Sequence, residues 1–191
     1  MIPFNDYIKE LDFTPLINYA REKGTFTEYK KGDFFLRQNE PSKSVGLVSS
    51  GIFRYLKFNG KGTLHIVGYS FTNDFVCDYA TLIKGENAWI DAQAVTDCKV
   101  YVLSRNDLID FWETNMDTQR FGRLVAEEVF KTMYKRLLSF YCDTAEERYT
   151  ALLRQCPSIL QYITLKEVAS FIGVTPETVS HIRKRLLLKQ K

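Results

Sequence analysis

TLKEVASFIGVTPETVSHIRKRLLLKQK, Thr164 to Lys191, decides how the rest of the sequence is understood. Thr164 with Glu167 three residues on is a capping box, in which two side chains satisfy two free N–H groups at a helix start. Leu165, Val168 and Ala169 follow at helical spacing and make one apolar face. Ile172-Gly173-Val174 ends that helix abruptly, because glycine enters the left-handed backbone of a helix terminus without a side-chain clash. Thr175-Pro176 starts another: threonine caps it, and proline in the first helical position gives up only an N–H that no helical carbonyl would accept. Val179, Ile182 and Leu186 form the inward face of this second helix.

Counted from Leu165, the small Ala169 is fifth, Gly173 ninth, Val179 fifteenth and Ile182 eighteenth. That spacing predicts a helix-turn-helix: a small residue where two helices cross, a turn glycine, and apolar residues that lock the second helix. An ordinary amphipathic hairpin with a solvated polar face is the plainer alternative. Arg and Lys after His181 are unrelieved by acids, which favours nucleic acid. The residues assigned to DNA contact are Thr164, Thr175, Pro176, Glu177, Thr178, Ser180, His181, Arg183, Lys184 and Arg185.

The chain has 191 residues, 45% hydrophobic and 26% charged, with a formal net charge of only +3, so its basic character is local. No apolar run approaches the roughly 18 residues of a membrane span, and the N-terminus lacks the order of a signal peptide. A cytoplasmic location is expected. Cys77, Cys98, Cys142 and Cys156 stand far apart with no C-x-x-C pair, as suits small buried hydrophobes better than a zinc or iron–sulfur site.

Residues 4 to 22 have helical apolar spacing, with Phe4, Ile8, Leu11, Leu16, Ile17 and Tyr19 as its points, and Pro15 is expected to divide them into two helices. From Gly24 to Leu103 short β-rich runs are punctuated by turn residues, the mark of a sandwich or barrel. Asn59-Gly60 predicts a hairpin with a tight primed turn. The stretch from Asp74 to Gly85 is expected to hold a short helix. Ser104 caps a helix from Arg105, and a long helix is expected from about Thr118 to Tyr141. It is apolar on two sides. One row (Gly122, Ala126, Val129, Met133, Phe140) suits a coiled-coil seam, and a second (Phe130, Tyr134, Leu137, Tyr141) lies beside it. Phe121, Val125, Val129, Met133 and Phe140 are assigned to contact with a second copy of the chain. Thr144 and Glu147 form another capping box after Asp143. The expected fold class is α+β: an N-terminal jelly-roll (double-stranded β-helix) sensor barrel over residues 1–116, a dimerisation helix over 117–142, and an all-α helix-turn-helix domain over 143–191.

This order of parts resembles the Crp/Fnr family of bacterial transcription regulators over nearly the whole chain. The resemblance is carried by Lys31-Gly32-Asp33-Phe34-Phe35-Leu36-Arg37-Gln38, Val48-Ser49-Ser50-Gly51-Ile52-Phe53-Arg54, Phe71 to Asp74, and most specifically Thr175-Pro176-Glu177-Thr178-Val179-Ser180. It implies a homodimer whose two second helices enter successive major grooves roughly 34 Å apart over a two-fold-symmetric site in double-stranded DNA. RNA polymerase and a small-molecule effector are the other implied partners. Family members that bind cyclic AMP hold it with a Gly-Glu pair and an Arg-Ser/Thr segment. The corresponding stretches here are Phe75-Val76-Cys77-Asp78 and Trp89-Ile90-Asp91-Ala92, without the arginine. That loss of a charge-assisted contact argues against cyclic AMP. By position in the family layout, Cys77, Asp78, Ile90, Asp91 and Thr132 line the effector pocket. The N-terminal cysteine cluster of the oxygen-sensing branch is absent, and His65 alone is a poor sign of haem. Around Glu177, Pro176 and His181 stand where the family has arginines, so the preferred DNA sequence is expected to differ. The β-hairpin wing that follows the second helix in the family is not expected.

Two other functions compete. A cupin-like metal enzyme would gather several His and a carboxylate in its barrel, whereas this chain has two His, one of them in the helical hairpin. A ligand-binding adaptor would use the same barrel to touch protein. No nucleophile motif, phosphate loop or metal-ligand spacing appears, so no catalytic residue, metal or cofactor is expected.

Overall fold

A computed structural model of the chain describes Asn5 and residues 7–189. Two short helices come first, α1 (Tyr7–Glu10) and α2 (Thr14–Lys23). Pro15 lies in the first turn of α2, where its missing N–H costs no helical bond. Phe4, expected among the apolar points here, falls outside the described residues.

Eight strands follow: β1 (Thr25–Tyr29), β2 (Phe34–Leu36), β3 (Ser44–Ser50), β4 (Phe53–Phe58), β5 (Leu64–Ser70), β6 (Phe75–Val76), β7 (Asp91–Ala94) and β8 (Cys98–Ser104). They form two antiparallel four-stranded sheets, ordered β1-β8-β3-β6 and β2-β7-β4-β5. Val48, Val76 and Val100 of the first sheet meet Phe53, Ala92 and Ala94 of the second in one buried cluster. The β4–β5 hairpin forms where expected, but not by a two-residue turn at Asn59-Gly60. Its connection runs from residue 59 to 63, because Asn59 Oδ1 accepts from the N–H groups of Lys61 and Thr63, both at 2.9 Å. The left-handed residue of this loop is Gly62, at φ +74°.

A short helix, α3 (Tyr79–Lys84), occupies the stretch between β6 and β7. Helix α4 (Arg105–Glu113) begins on the Ser104–Asp107 capping box. The long helix α5 (Met116–Cys142) starts earlier than the apolar pattern suggests, since Asn115 accepts from the Asp117 and Thr118 N–H groups and Thr118 returns the bond. At 27 residues it is about 40 Å long. Helix α6 (Ala145–Gln155) begins on Thr144–Glu147, and a single 3₁₀ turn (Ile159–Gln161) leads to α7 (Leu165–Ile172) and α8 (Pro176–Lys189).

Three of the five residues expected to meet a second copy pack within the chain itself. Val125 is only 5% exposed, in a cluster with Phe13, Leu16, Leu108 and Phe111. Phe121 packs edge-on against Phe13 at 5.2 Å and Trp112 at 5.6 Å, and Val129 is half-buried on the same cluster. Gly122 faces the Trp112 ring. The reason is α4 and α1, which pack along this side of α5, with Phe13 just ahead of α2 filling the space between them. Met133 and Phe140 remain exposed, and beside them stands an open stripe of Phe130, Tyr134, Leu137 and Tyr141. Phe130 and Tyr134 stack with ring centroids 5.9 Å apart.

Candidate functional site

The α7–α8 hairpin turns at Gly173, whose φ of +72° gives α7 its left-handed end, with the Val174 N–H donating back to Ala169 O at 2.9 Å. Val168, Ala169, Ile172, Val179 and Ile182 are all buried between the two helices and their neighbours. The Thr175 hydroxyl accepts from the Thr178 N–H at 3.3 Å and so caps α8. Locked in this way, α8 turns Glu177, Ser180, His181 and Lys184 to the outside as one exposed edge, at the three- and four-residue spacing of a single helix face. The Glu177 carboxyl is held below the ordinary range by its own backbone N–H and the Thr175 hydroxyl, so it is an anion at neutral pH.

The other residues assigned to DNA lie differently. Thr164 spends its hydroxyl on the Glu167 N–H at 3.2 Å, and the Ser180 hydroxyl donates to Pro176 O at 3.1 Å. Pro176 is exposed and Thr178 half-buried. Arg183 is half-buried beside Tyr149, and Arg185 is ion-paired with Glu146 at the start of α6. Within the exposed edge, Glu177 and Ser180 each hold a bond in the first turns of α8, whereas His181 and Lys184 make no hydrogen bond or ion pair among the described residues and meet a ligand without giving one up.

Behind the hairpin, α7 is fastened to the second sheet. Arg54 of β4 makes an ion pair with Glu167 and donates to Gln93 Oε1 at 2.7 Å. The Ile66 N–H donates to Ser170 Oγ at 2.8 Å. Burial works to raise the Glu167 pKa, but the Thr164 N–H, Arg54 and the Thr164 hydroxyl outweigh it and hold the carboxyl below its ordinary value. Arg136 of α5 donates both to Val67 O of β5 and, at 3.1 Å, to Phe171 O of α7. Arg148 of α6 donates to Ile172 O at 2.9 Å and to the carbonyls of Ser139 and Asp143. Apolar packing runs without a break from Ile52, Leu56 and Ile66 of the sheet to Leu152, Val168 and Ile182 of the helices.

A cleft of about 630 Å³ opens between sheet, α5 and hairpin, within the size range of small-molecule sites. Cys77, Asp78, Ile90 and Thr132 are on its wall. Asp91 is not: its Oδ1 accepts from the Gln38 N–H at 2.7 Å, tying β7 to the loop after β2. Asp78 is buried, with Oδ2 accepting from the Trp89 N–H at 2.8 Å. Burial, helped by the nearby Asp78, pushes the Cys77 thiol up to about 12. Burial first, and then Cys77, takes the Tyr79 phenol to about 12. Burial drives Tyr55 and Tyr69 higher still, so all these groups face the cleft uncharged. Sequence reasoning missed Tyr55, Tyr69, Arg136 and Arg148 as lining. An arginine within the apolar face of the long helix was the available signal for Arg136.

Among the described residues no three side chains are grouped to hold a metal ion, and no helix is long and apolar enough to cross a membrane. His65 sits at the β4–β5 hairpin end, 3.2 Å from Asn59 Nδ2. The cysteines are unpaired, and Cys142 is exposed, contrary to the expectation that all four are buried: the end of α5 that carries it stands clear of the core.

Residues 26–115 match the family model for the cyclic nucleotide-binding domain. No curated protein is recognisably similar in sequence. Among solved structures, FixK2 from Bradyrhizobium japonicum is 21% identical, with a TM-score of 0.76 over 87% of this chain and 86% of that one. A protein described as a transcriptional regulator of the Crp/Fnr family from Eubacterium rectale is 15% identical, with a TM-score of 0.68 over 97% and 88%. A CooA variant from Carboxydothermus hydrogenoformans is 14% identical, with a TM-score of 0.69 over 98% and 85%. Residues 26–115 thus match the cyclic nucleotide-binding domain, and the chain as a whole shares the fold of these solved structures, one of them described as a Crp/Fnr-family regulator.

Proposed function

We propose that the chain is a sequence-specific DNA-binding regulator of transcription, acting as a homodimer and without enzymatic activity. In it, residues 1–116 sense, residues 117–142 pair two copies and residues 143–191 bind DNA as a helix-turn-helix. The observation that carries this is the exposed edge of α8, Glu177, Ser180, His181 and Lys184, on a chain with the fold of known regulators. An acceptor carboxylate on a helix that fits a major groove takes a hydrogen bond from a cytosine amino group, and His181 donates to guanine or phosphate. Lys184, with Arg183 beside it, supplies charge to the backbone, a term that carries affinity without sequence information. Pairing of two copies is supported by the open stripe of Phe130, Tyr134, Leu137 and Tyr141 on α5, an apolar face that the chain does not cover itself. The cleft between sheet, α5 and hairpin is the place for an effector other than cyclic AMP. A ligand there changes DNA affinity only as far as it prefers one arrangement of the hairpin over another.

Selection from random double-stranded oligonucleotides, followed by gel-shift titration, tests the proposal. A two-fold-symmetric sequence is expected, with half-sites one helical turn apart. Glu177→Ala is expected to relax the preference at one base pair per half-site, by about 1–3 kcal/mol. Equal binding of every oligonucleotide by the variant and the parent would remove Glu177 as a base-reading residue.

A further inference from the structure

We infer that the cleft takes a small organic anion, its carboxylate or phosphate group held at Arg136 and Arg148 and its apolar body lying between α5 and the sheet. The inference rests on the proposal that this cleft is the effector site and gives that effector a chemical class. Both arginines line the cleft. Their guanidinium carbons both lie near the Phe140 ring, at 5.7 Å and 5.5 Å from its centroid, and Arg136 also lies 3.9 Å over the Phe171 ring. All the hydrogen bonds they make among the described residues go to main-chain carbonyls, and neither has a carboxylate within ion-pair distance. Two positive charges thus share one pocket wall, with no carboxylate paired to either among the described residues. Partial burial of a cation without a counter-ion is costly, and it shows in Arg136, whose pKa burial lowers to about 10. A guanidinium has five N–H donors in a fork that matches a carboxylate or phosphate, so an anion would relieve that cost and be gripped through two bonds.

The remaining walls set the ligand's orientation. Glu128, already paired with Lys131, lies two turns before Arg136 on α5, about 12 Å away. Asp78 and Glu10 line the cleft as well, on α3's N-terminal flank and on α1. An anionic head is repelled from these acids and drawn to the arginines. Between the two lie Phe75, Val129 and Met133, which suit an aromatic or aliphatic body. The guanidinium missing from the sheet, where the family grips a cyclic phosphate, is in this arrangement supplied from the helices.

Isothermal titration of the full chain with phenylacetate, phenyl phosphate and neutral phenylacetamide tests the inference without altering the protein. At least one of the two anions is expected to bind, and the amide about tenfold more weakly or not at all, the factor that one charge-assisted contact carries. Whichever anion binds identifies the head group. Amide and anions binding alike, or no binding by any of the three, would overturn the inference. Arg136→Gln, checked for native circular dichroism, is expected to abolish the preference for the anion, and Arg136→Lys to keep part of it. DNA titration on the selected sequence separates this from the proposed function. Anion binding that leaves DNA affinity unchanged sustains the site and removes only its regulatory role. DNA binding by a chain that ignores both anions removes the site and leaves the regulator.

Discussion

Gly173 shows how one position can be fixed twice over. Its φ of +72° penalises any side chain, and a Cβ placed there would lie 2.8 Å from Phe140 Cε1. Gly173→Ala is therefore expected to lower unfolding free energy by about 1–3 kcal/mol in urea titrations, left-handed strain and ring displacement adding together. The glycine was legible in the sequence because a helix end between two capping threonines needs one. Phe140's part was not: a helical repeat places it in a row but does not say that its ring covers a turn 33 positions on, beside two arginines. A second contrast lies between two thiols. Cys77 is held near 12 by burial and Asp78, while Cys142 is exposed. Since the thiolate is the nucleophile, iodoacetamide at pH near 8 is expected to label Cys142 and spare Cys77, as read by peptide mass.

Glu167 links two elements, closing the cap of α7 and pairing with Arg54 of β4. Its pKa lies below the ordinary 4.5 in the folded chain, so the folded state binds fewer protons than the unfolded chain in that range. The stabilisation is present above the ordinary value and is lost as pH falls through the folded one. Glu167→Gln keeps a cap acceptor but no charge. It is expected to lower the melting temperature at neutral pH and to flatten its decline on acidification, measured by circular dichroism from neutral pH down through the carboxylate range. The capping box was plain from Thr164 and Glu167, three residues apart. Arg54 was not, since it lies 113 positions away and belongs to a strand whose neighbours only the folded chain reveals. Capping is local chemistry and leaves a local trace, whereas docking of α7 on the sheet leaves none.

On the scale of the molecule, the two apolar rows of α5 were readable, but not their allotment. Val125 and Phe121 face α4 and Phe13, which packs them into the chain's own core, and Phe130, Tyr134, Leu137 and Tyr141 are left exposed as the proposed face for another copy. Leu137→Glu is expected to shift the protein from dimer to monomer in sedimentation velocity and to weaken DNA binding at least tenfold, since one half-site is then gripped alone. A dimer that survives the substitution would place the seam elsewhere. The unbroken apolar packing from Ile52 to Ile182 has a further consequence. The last fifty or so residues cannot be treated as an interchangeable cartridge. Grafted onto another sandwich they would need Ile66, Arg54 and the rest of that sheet surface supplied with them, so substitutions along the outer edge of α8 disturb the fold less than exchange of the whole unit.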